Sequence, residues 1–421
     1  MIGAAALASL QQPRYRWLWF SNVAGSAGRW ALVLVLSAQL LQVTHSSFWV
    51  GLGLFLTQGP VVLVAPFSGA LADRFDRRTL NVASVAASAL TTGLFAMLTW
   101  LGLMTLPVML ALSLLFGMSF VFQMTLRSTL VASLVPGESL LNAVSLFQVG
   151  TQGAQFLGPL VATPVLAALG PAPAWLLCSL LYATAAVLST MVGESRVRGH
   201  DTDRGESIAE RLGSSLRYLR IRPLAWTAIL AVTLHCSLTM AYQGMLPMFV
   251  AMDLGAGTSS YGALLAVIGF GAVTASLALA HWSGERYRPA LFAVSLVGSG
   301  LGLSVLAVAP NTTVAFVAGF VAGGTQAMFM SLTLALIQSS VANEFRGRAT
   351  SLYQMITLTP MALFGWGMGG LADVSDPRPL MFAGGAAFLV VMAVYTWRSP
   401  WLRGMFGPSG WSQARLPGVS A

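Results

Sequence analysis

Twelve apolar runs, each of about membrane-crossing length, follow one another along the chain near 17–43, 48–72, 79–103, 107–131, 140–168, 174–193, 223–251, 260–283, 289–309, 311–337, 349–373 and 379–397. Roughly 20 residues rising ~1.5 Å each cross the ~30 Å hydrocarbon core of a bilayer. Of the 421 residues, 56% are hydrophobic and only 8% charged, whereas soluble domains carry about 25% charged residues. Backbone polar groups in lipid must be satisfied within the protein, so the spans are helices or a closed barrel, and no alternating strand pattern occurs. The expected fold is an all-α integral membrane protein of twelve transmembrane helices, with the lipid bilayer as its first partner.

Arginine sorts along these runs. All 22 basic residues are Arg. With the N-terminus in the cytoplasm, the inner turns and tail hold 20 of them, Arg127 included; the outer turns hold Arg378, and Arg29 lies within the first run. That bias satisfies the positive-inside rule and puts both termini in the cytoplasm. A formal charge of +9 would suit nucleic acid, but the arginines are scattered between apolar runs and form no continuous basic face, so no nucleic-acid partner is expected. Cys178 and Cys236 both fall in apolar runs, which argues against a disulfide framework or a metal site. Met1 to Pro13 has no charged leader region, so no cleaved signal peptide is expected.

The turn between the second and third runs, Gly69 to Arg78, reads Gly-Ala-Leu-Ala-Asp-Arg-Phe-Asp-Arg-Arg. Charges at this density cost roughly 2.5–3.5 kcal/mol each in hydrocarbon, so the turn marks a membrane face. The pattern resembles the loop signature between helices 2 and 3 of the major facilitator superfamily. The stretch from Gly59 to Arg78 is most similar to the superfamily's bacterial drug and siderophore efflux branch. The resemblance implies two six-helix pseudo-repeats and a cytoplasmic latch carried by Gly69, Asp73, Arg74, Arg77 and Arg78. The second-half counterpart keeps Glu285, Arg286 and Arg288 but departs from the pattern.

An internal repeat agrees. Val135 to Gln148 and Val341 to Gln354 match at Val, Glu, Ala, Ser, Leu and Gln with an offset of 206. The expected organisation is an N-terminal half over 1–193, a cytoplasmic linker over 194–222, a C-terminal half over 223–398 and a cytoplasmic tail over 399–421. Within the linker, Ile208, Leu212, Leu216 and Leu219 share a helical face with arginines mostly off it, the pattern of an amphipathic helix on the inner leaflet.

Arg29 is the sharpest candidate. It sits near the middle of the first span on a stripe with Asn22 and Ser26, and an intramembrane charge is tolerated where it faces protein or water. The repeat offset maps position 29 onto His235, which shares a face with Thr239 and Tyr242. Gln58, Gln123, Gln148, Gln152, Gln326 and Gln354 are the other polar groups assigned to a substrate cavity, although each would equally serve as an interhelical hydrogen bond. In the fifth span Gly150, Gly158 and Pro159 resemble part of the Gly-Pro signature of exporters, with Ala162 and Thr163 in place of its final glycines; the same residues suit packing alone.

No carboxylate falls in the middle of a span, so the expected cargo is an anionic or neutral amphipathic small molecule. A proton is the expected coupling ion, with His235 as the titratable candidate. No nucleotide motif and no nucleophile–base constellation occurs, so the chain is not expected to be an enzyme or to carry a cofactor or metal. The resemblance implies a monomeric exporter of the bacterial cytoplasmic membrane. Uptake of a small metabolite, and a membrane sensor or assembly partner that moves nothing, are the alternatives.

Overall fold

A computed structural model describes residues 9–61, 64, 71, 75–135, 140–193, 213, 216–282, 284, 286–341, 346–407 and 411. The latch residues Gly69, Asp73 and Arg74 and most of the linker and tail lie outside the described residues. The helices are α1 (Pro13–Thr44), α2 (Ser47–Gln58), α3 (Arg77–Trp100), α4 (Leu106–Leu134), α5 (Leu140–Leu169), α6 (Pro171–Thr190), α7 (Pro223–Thr239), α8 (Thr258–His281), α9 (Arg288–Ala307), α10 (Thr312–Ser339), α11 (Arg346–Ala372), α12 (Pro377–Arg398) and the short α13 (Pro400–Gly404). Among the described residues eleven are long and apolar enough to cross a membrane. The twelfth, α2, is described as a continuous helix over 12 residues.

Proline explains where many helices start. It occupies the first turn of α1, α4, α6, α7, α9 and α12, where its missing N–H has no helical partner to lose. Inside helices it is confined, among the described residues, to Pro159 and Pro164 of α5 and Pro360 of α11. Both of those helices lie at the junction between halves. The seventh run was expected to be one helix over 223–251 and is not. After Thr239 it breaks into a 3-10 turn (Ala241–Gly244), a single α-turn (Leu246–Met248) and a π-turn (Phe249–Asp253). Pro247 contributes to the break by lacking a donor, and Gly244 lets this segment approach the Gly365 carbonyl oxygen, where a Cβ would stand at 2.8 Å.

α1 to α6 pack on one another, as do α7 to α12, and the two sets meet where α2 lies on α11 and α5 on α8. In the first set Trp175 stacks on Phe95 at 4.1 Å and donates to Gln39 Oε1 at 2.7 Å. Odd-numbered helices begin at a face carrying Arg14, Arg77, Arg220 and Arg288, here the basic face. Asp76 caps α3 through the Thr79 N–H at 2.8 Å, and Arg78 donates to the Thr190 carbonyl at the end of α6. At the opposite face Arg378 pairs with Asp253 at 3.1 Å and donates to the Asp253 and Ala309 carbonyls. There burial pushes the Asp253 carboxyl up, against the pull of Arg378.

Two expectations change. Arg127 is no turn residue: it lies inside α4, seven residues before its end, with 7% of its surface exposed. The inner-turn count therefore falls to nineteen, and the bias survives. In the linker, Leu219 is buried in the core that holds Leu224, Ala228 and Leu336. Its end is thus packed into the protein instead of lying on a leaflet.

Candidate functional site

Arg29 faces the junction of α1, α2 and α4. It is half-buried, donates from Nη2 to Gln58 Oε1 at 2.8 Å, and its guanidinium lies 4.3 Å from the Phe120 ring and 5.6 Å from Trp30. A cation over aromatic faces is stabilised where water is scarce. Gln58 in turn lines a small space between the halves with Gly51, Leu54, Met240, Gln243 and Gly365. Its free volume of about 10 Å³ holds one water at most. Arg29 is thus one hydrogen bond away from the inter-half cleft.

The cleft is closed toward the opposite face by backbone contact. A Cβ at Gly51 would stand 2.9 Å from the Gly365 carbonyl oxygen, and one at Gly244 would meet that oxygen at 2.8 Å and the Gly51 Cα at 3.1 Å. A Cβ at Gly369 would meet the Ser47 carbonyl at 2.4 Å. Small residues in lipid let helices approach to this distance. On the second seam, a Cβ at Gly262 would collide with Thr163 and one at Gly269 with the Gln155–Phe156 backbone.

Above the first seam the Asp373 carboxylate, at the end of α11, accepts from the Ser46 hydroxyl, from the Ser47 N–H at 2.6 Å and from the Phe48 N–H at 3.2 Å. It supplies from the other half the cap that the α2 N-terminus lacks. Water access holds its contribution to ~1–1.5 kcal/mol, about tenfold in population. Asp373→Asn is expected to loosen this closure. Spin labels at the exposed positions Val43 and Val374 should then show a longer, broader distance distribution; an unchanged one would remove the role.

The other assigned residues divide. Asn22 is buried at a polar hub, its amide donating to Thr151 Oγ1 at 2.9 Å and Phe147 O, and its Oδ1 accepting from Arg127 Nη1 at 3.3 Å and from Ser26. Gln123 is tied to Ser84 and Ser88 between α3 and α4, and Gln326 bonds the Thr239 carbonyl at the α7 break. Both brace helices. Gln148 is exposed, Gln152 and Gln354 are half-buried, and Tyr242 is buried beside the break. Gly150 and Gly158 admit α1 closely, a Cβ at Gly158 standing 2.5 Å from the Ala27 carbonyl. Pro159 is buried in the same helix.

His235 is placed in the core and not on a cavity wall. It is fully buried, stacked 4.5 Å from Phe329 with Phe388 edge-on at 5.3 Å, and its Nε2 is 3.2 Å from Ser299 Oγ. Its side chain turns toward α9, α10 and α12. Sequence reasoning also missed Asp373, the Gly51–Gly244–Gly365 contact and Arg127. For Arg127 a signal existed: Leu130, Val131 and Leu134 continue the apolar helix beyond it.

The comparisons follow this architecture. The D-xylose-proton symporter matches with TM-score 0.73 at 14% identity, over 92% of this chain and 98% of that one. A bacterial homologue of the human lysosomal transporter Spinster, inward-facing and occupied, matches with TM-score 0.68 at 15% identity, over 96% and 98%. At such identities they show the fold alone. Enterobactin exporter EntS of Salmonella choleraesuis (strain SC-B67) is 25% identical over 390 residues, 90% of each chain. That of Escherichia coli O1:K1 / APEC is 24% identical over 390 residues, again 90% of each. The family model described as transmembrane secretion effector matches residues 4–405. The chain is a multi-pass membrane transporter of the major facilitator type, not an enzyme, and belongs to the transmembrane secretion effector family.

Proposed function

We propose that the protein exports anionic or amphipathic small molecules from the cytoplasm across the bacterial cytoplasmic membrane by alternating access, driven by an ion gradient, most simply of protons. The observation that carries this reading is Arg29, a mid-span guanidinium bonded to a glutamine on the wall of the inter-half cleft. A partly exposed cation there, among aromatic rings, favours an anionic group on the cargo. Export is supported by the enterobactin exporters among the relatives and by the exporter-like Gly158-Pro159 pair. Rocking of the halves is supported by the closure of one face through glycine contacts.

Everted vesicles test direction and cargo. An anionic amphipathic dye added at the cytoplasmic face should accumulate inside when a proton gradient is imposed, and a collapsed gradient should abolish this. Accumulation only in right-side-out vesicles would favour uptake; no movement in either would favour a sensor. The sealed His235 is a poor proton carrier. His235→Gln should therefore lower thermal stability and leave the pH profile of transport in place; a shifted profile would restore His235 to the coupling path.

A further inference from the structure

Arg127 is a buried cation with too few partners. Among the described residues only Nη1 bonds, to Asn22 Oδ1 at 3.3 Å, while Nε and Nη2 have no hydrogen-bond partner there. No carboxylate pairs with it among the described residues. An unpaired guanidinium held out of water costs several kcal/mol, so a chain that keeps one has a use for its free donors.

The surroundings press closely on those donors. On α1, a Cβ at Gly25 would lie 2.8 Å from Nη2 and 3.5 Å from Ala185 of α6, so glycine alone leaves the guanidinium room. Asn22, which orients Nη1, is itself fixed from α5 by Thr151 and the Phe147 carbonyl. Asn22, Ser26 and Arg29 follow at steps of four and three along α1, one continuous polar stripe. Seven residues separate Asn22 from Arg29, about 10 Å of helix rise, and Asn22 is the nearer of the two to the basic face.

We infer that Arg127, oriented by Asn22 and given room by Gly25, is a second anion-binding station on the basic-face side of Arg29, and that the preferred cargo carries two anionic groups about one and a half to two helical turns apart. This rests on the reading of the cleft as an anionic substrate path and adds the spacing and the charge number of the cargo. When the halves rock, one anionic group of the cargo pairs with the free Nε and Nη2 donors while the other reaches Arg29. Two such charge-assisted contacts hold a dianion where one holds a monoanion.

The test uses the purified full-length chain and three probes: biphenyl-4,4′-disulfonate, biphenyl-4-sulfonate and neutral 4-biphenylmethanol, with binding read by calorimetry. The disulfonate should bind about tenfold more tightly than the monosulfonate, as one further charged hydrogen bond allows. Arg127→Gln and Gly25→Ala should each erase that advantage and leave the neutral probe unaffected. Gly25→Ala keeps the charge and only crowds Nη2, so it speaks even where Arg127→Gln folds poorly; Arg127→Lys should retain part of the advantage. If Arg29→Gln weakens anion binding while Arg127→Gln and Gly25→Ala do not, the second station is wrong and the cleft reading stands. If all variants bind both anions as the wild type does, both readings fall.

Discussion

Arg29→Gln is expected to lower transport of an anionic amphipathic substrate by roughly 10–100-fold, since a hydrogen bond to a charged group is worth ~1.5–3 kcal/mol and each 1.4 kcal/mol is tenfold. A neutral analogue of the same shape should move as it does in the wild type. The variant itself should be no less stable, because the guanidinium makes one hydrogen bond among the described residues, to Gln58, and the desolvation cost that glutamine avoids offsets the lost contacts with Phe120 and Trp30. Arg29→Lys, which keeps the charge but not the fork of donors, should fall between. Reconstituted vesicles with paired anionic and neutral dyes measure this directly. Equal loss for both dyes, together with a lowered melting temperature, would make Arg29 a packing residue.

The second large effect belongs to the seam. Gly51→Val puts a branched side chain where a single Cβ already meets the Gly365 carbonyl oxygen and the Trp366 Cα at 2.9 Å. Neither is the end of a flexible side chain, so the helices must separate. Overpacking costs ~1–3 kcal/mol, and because the clash exists only where α2 and α11 touch, the cost falls on the closed state. About 2 kcal/mol shifts the balance of states by roughly thirtyfold. Turnover should drop to background while the protein still folds, with the face that bears Asp373 held open. Gly367→Ala on the same helix, with no atom within 4 Å of its Cβ position, should transport normally. A normal Gly51→Val transporter would mean that the α2–α11 contact does not have to close during the cycle.

The parts legible in the chain are those set by the solvent. Lipid excludes charge and unpaired backbone, so helix number, helix order and the sorting of arginine follow from composition along the sequence. The break after Thr239 was legible too, in Pro247, but continuous hydrophobicity hid it. Arg127 was lost because counting charges by loop treats any arginine near the end of a run as topological. Its place in α4 follows only once Leu130 and Leu134 are given weight. His235 was misjudged because a repeat offset does not fix rotation about a helix. The cap that Asp373 gives to α2 joins positions over 300 residues apart, and no local rule connects them. The glycine contact of Gly51, Gly244 and Gly365 joins three helical segments, and in sequence each is one small residue among many.

Access to the cleft from one side at a time is the central claim, and a cysteine at position 58 reports it. With the buried thiols Cys178 and Cys236 replaced by alanine, Gln58→Cys should react with an impermeant maleimide added at the basic face and stay unreactive from the opposite face. Adding Gly51→Val should reverse the preference. Reaction from both faces at once, or a preference that Gly51→Val leaves in place, would contradict alternating access through this cleft.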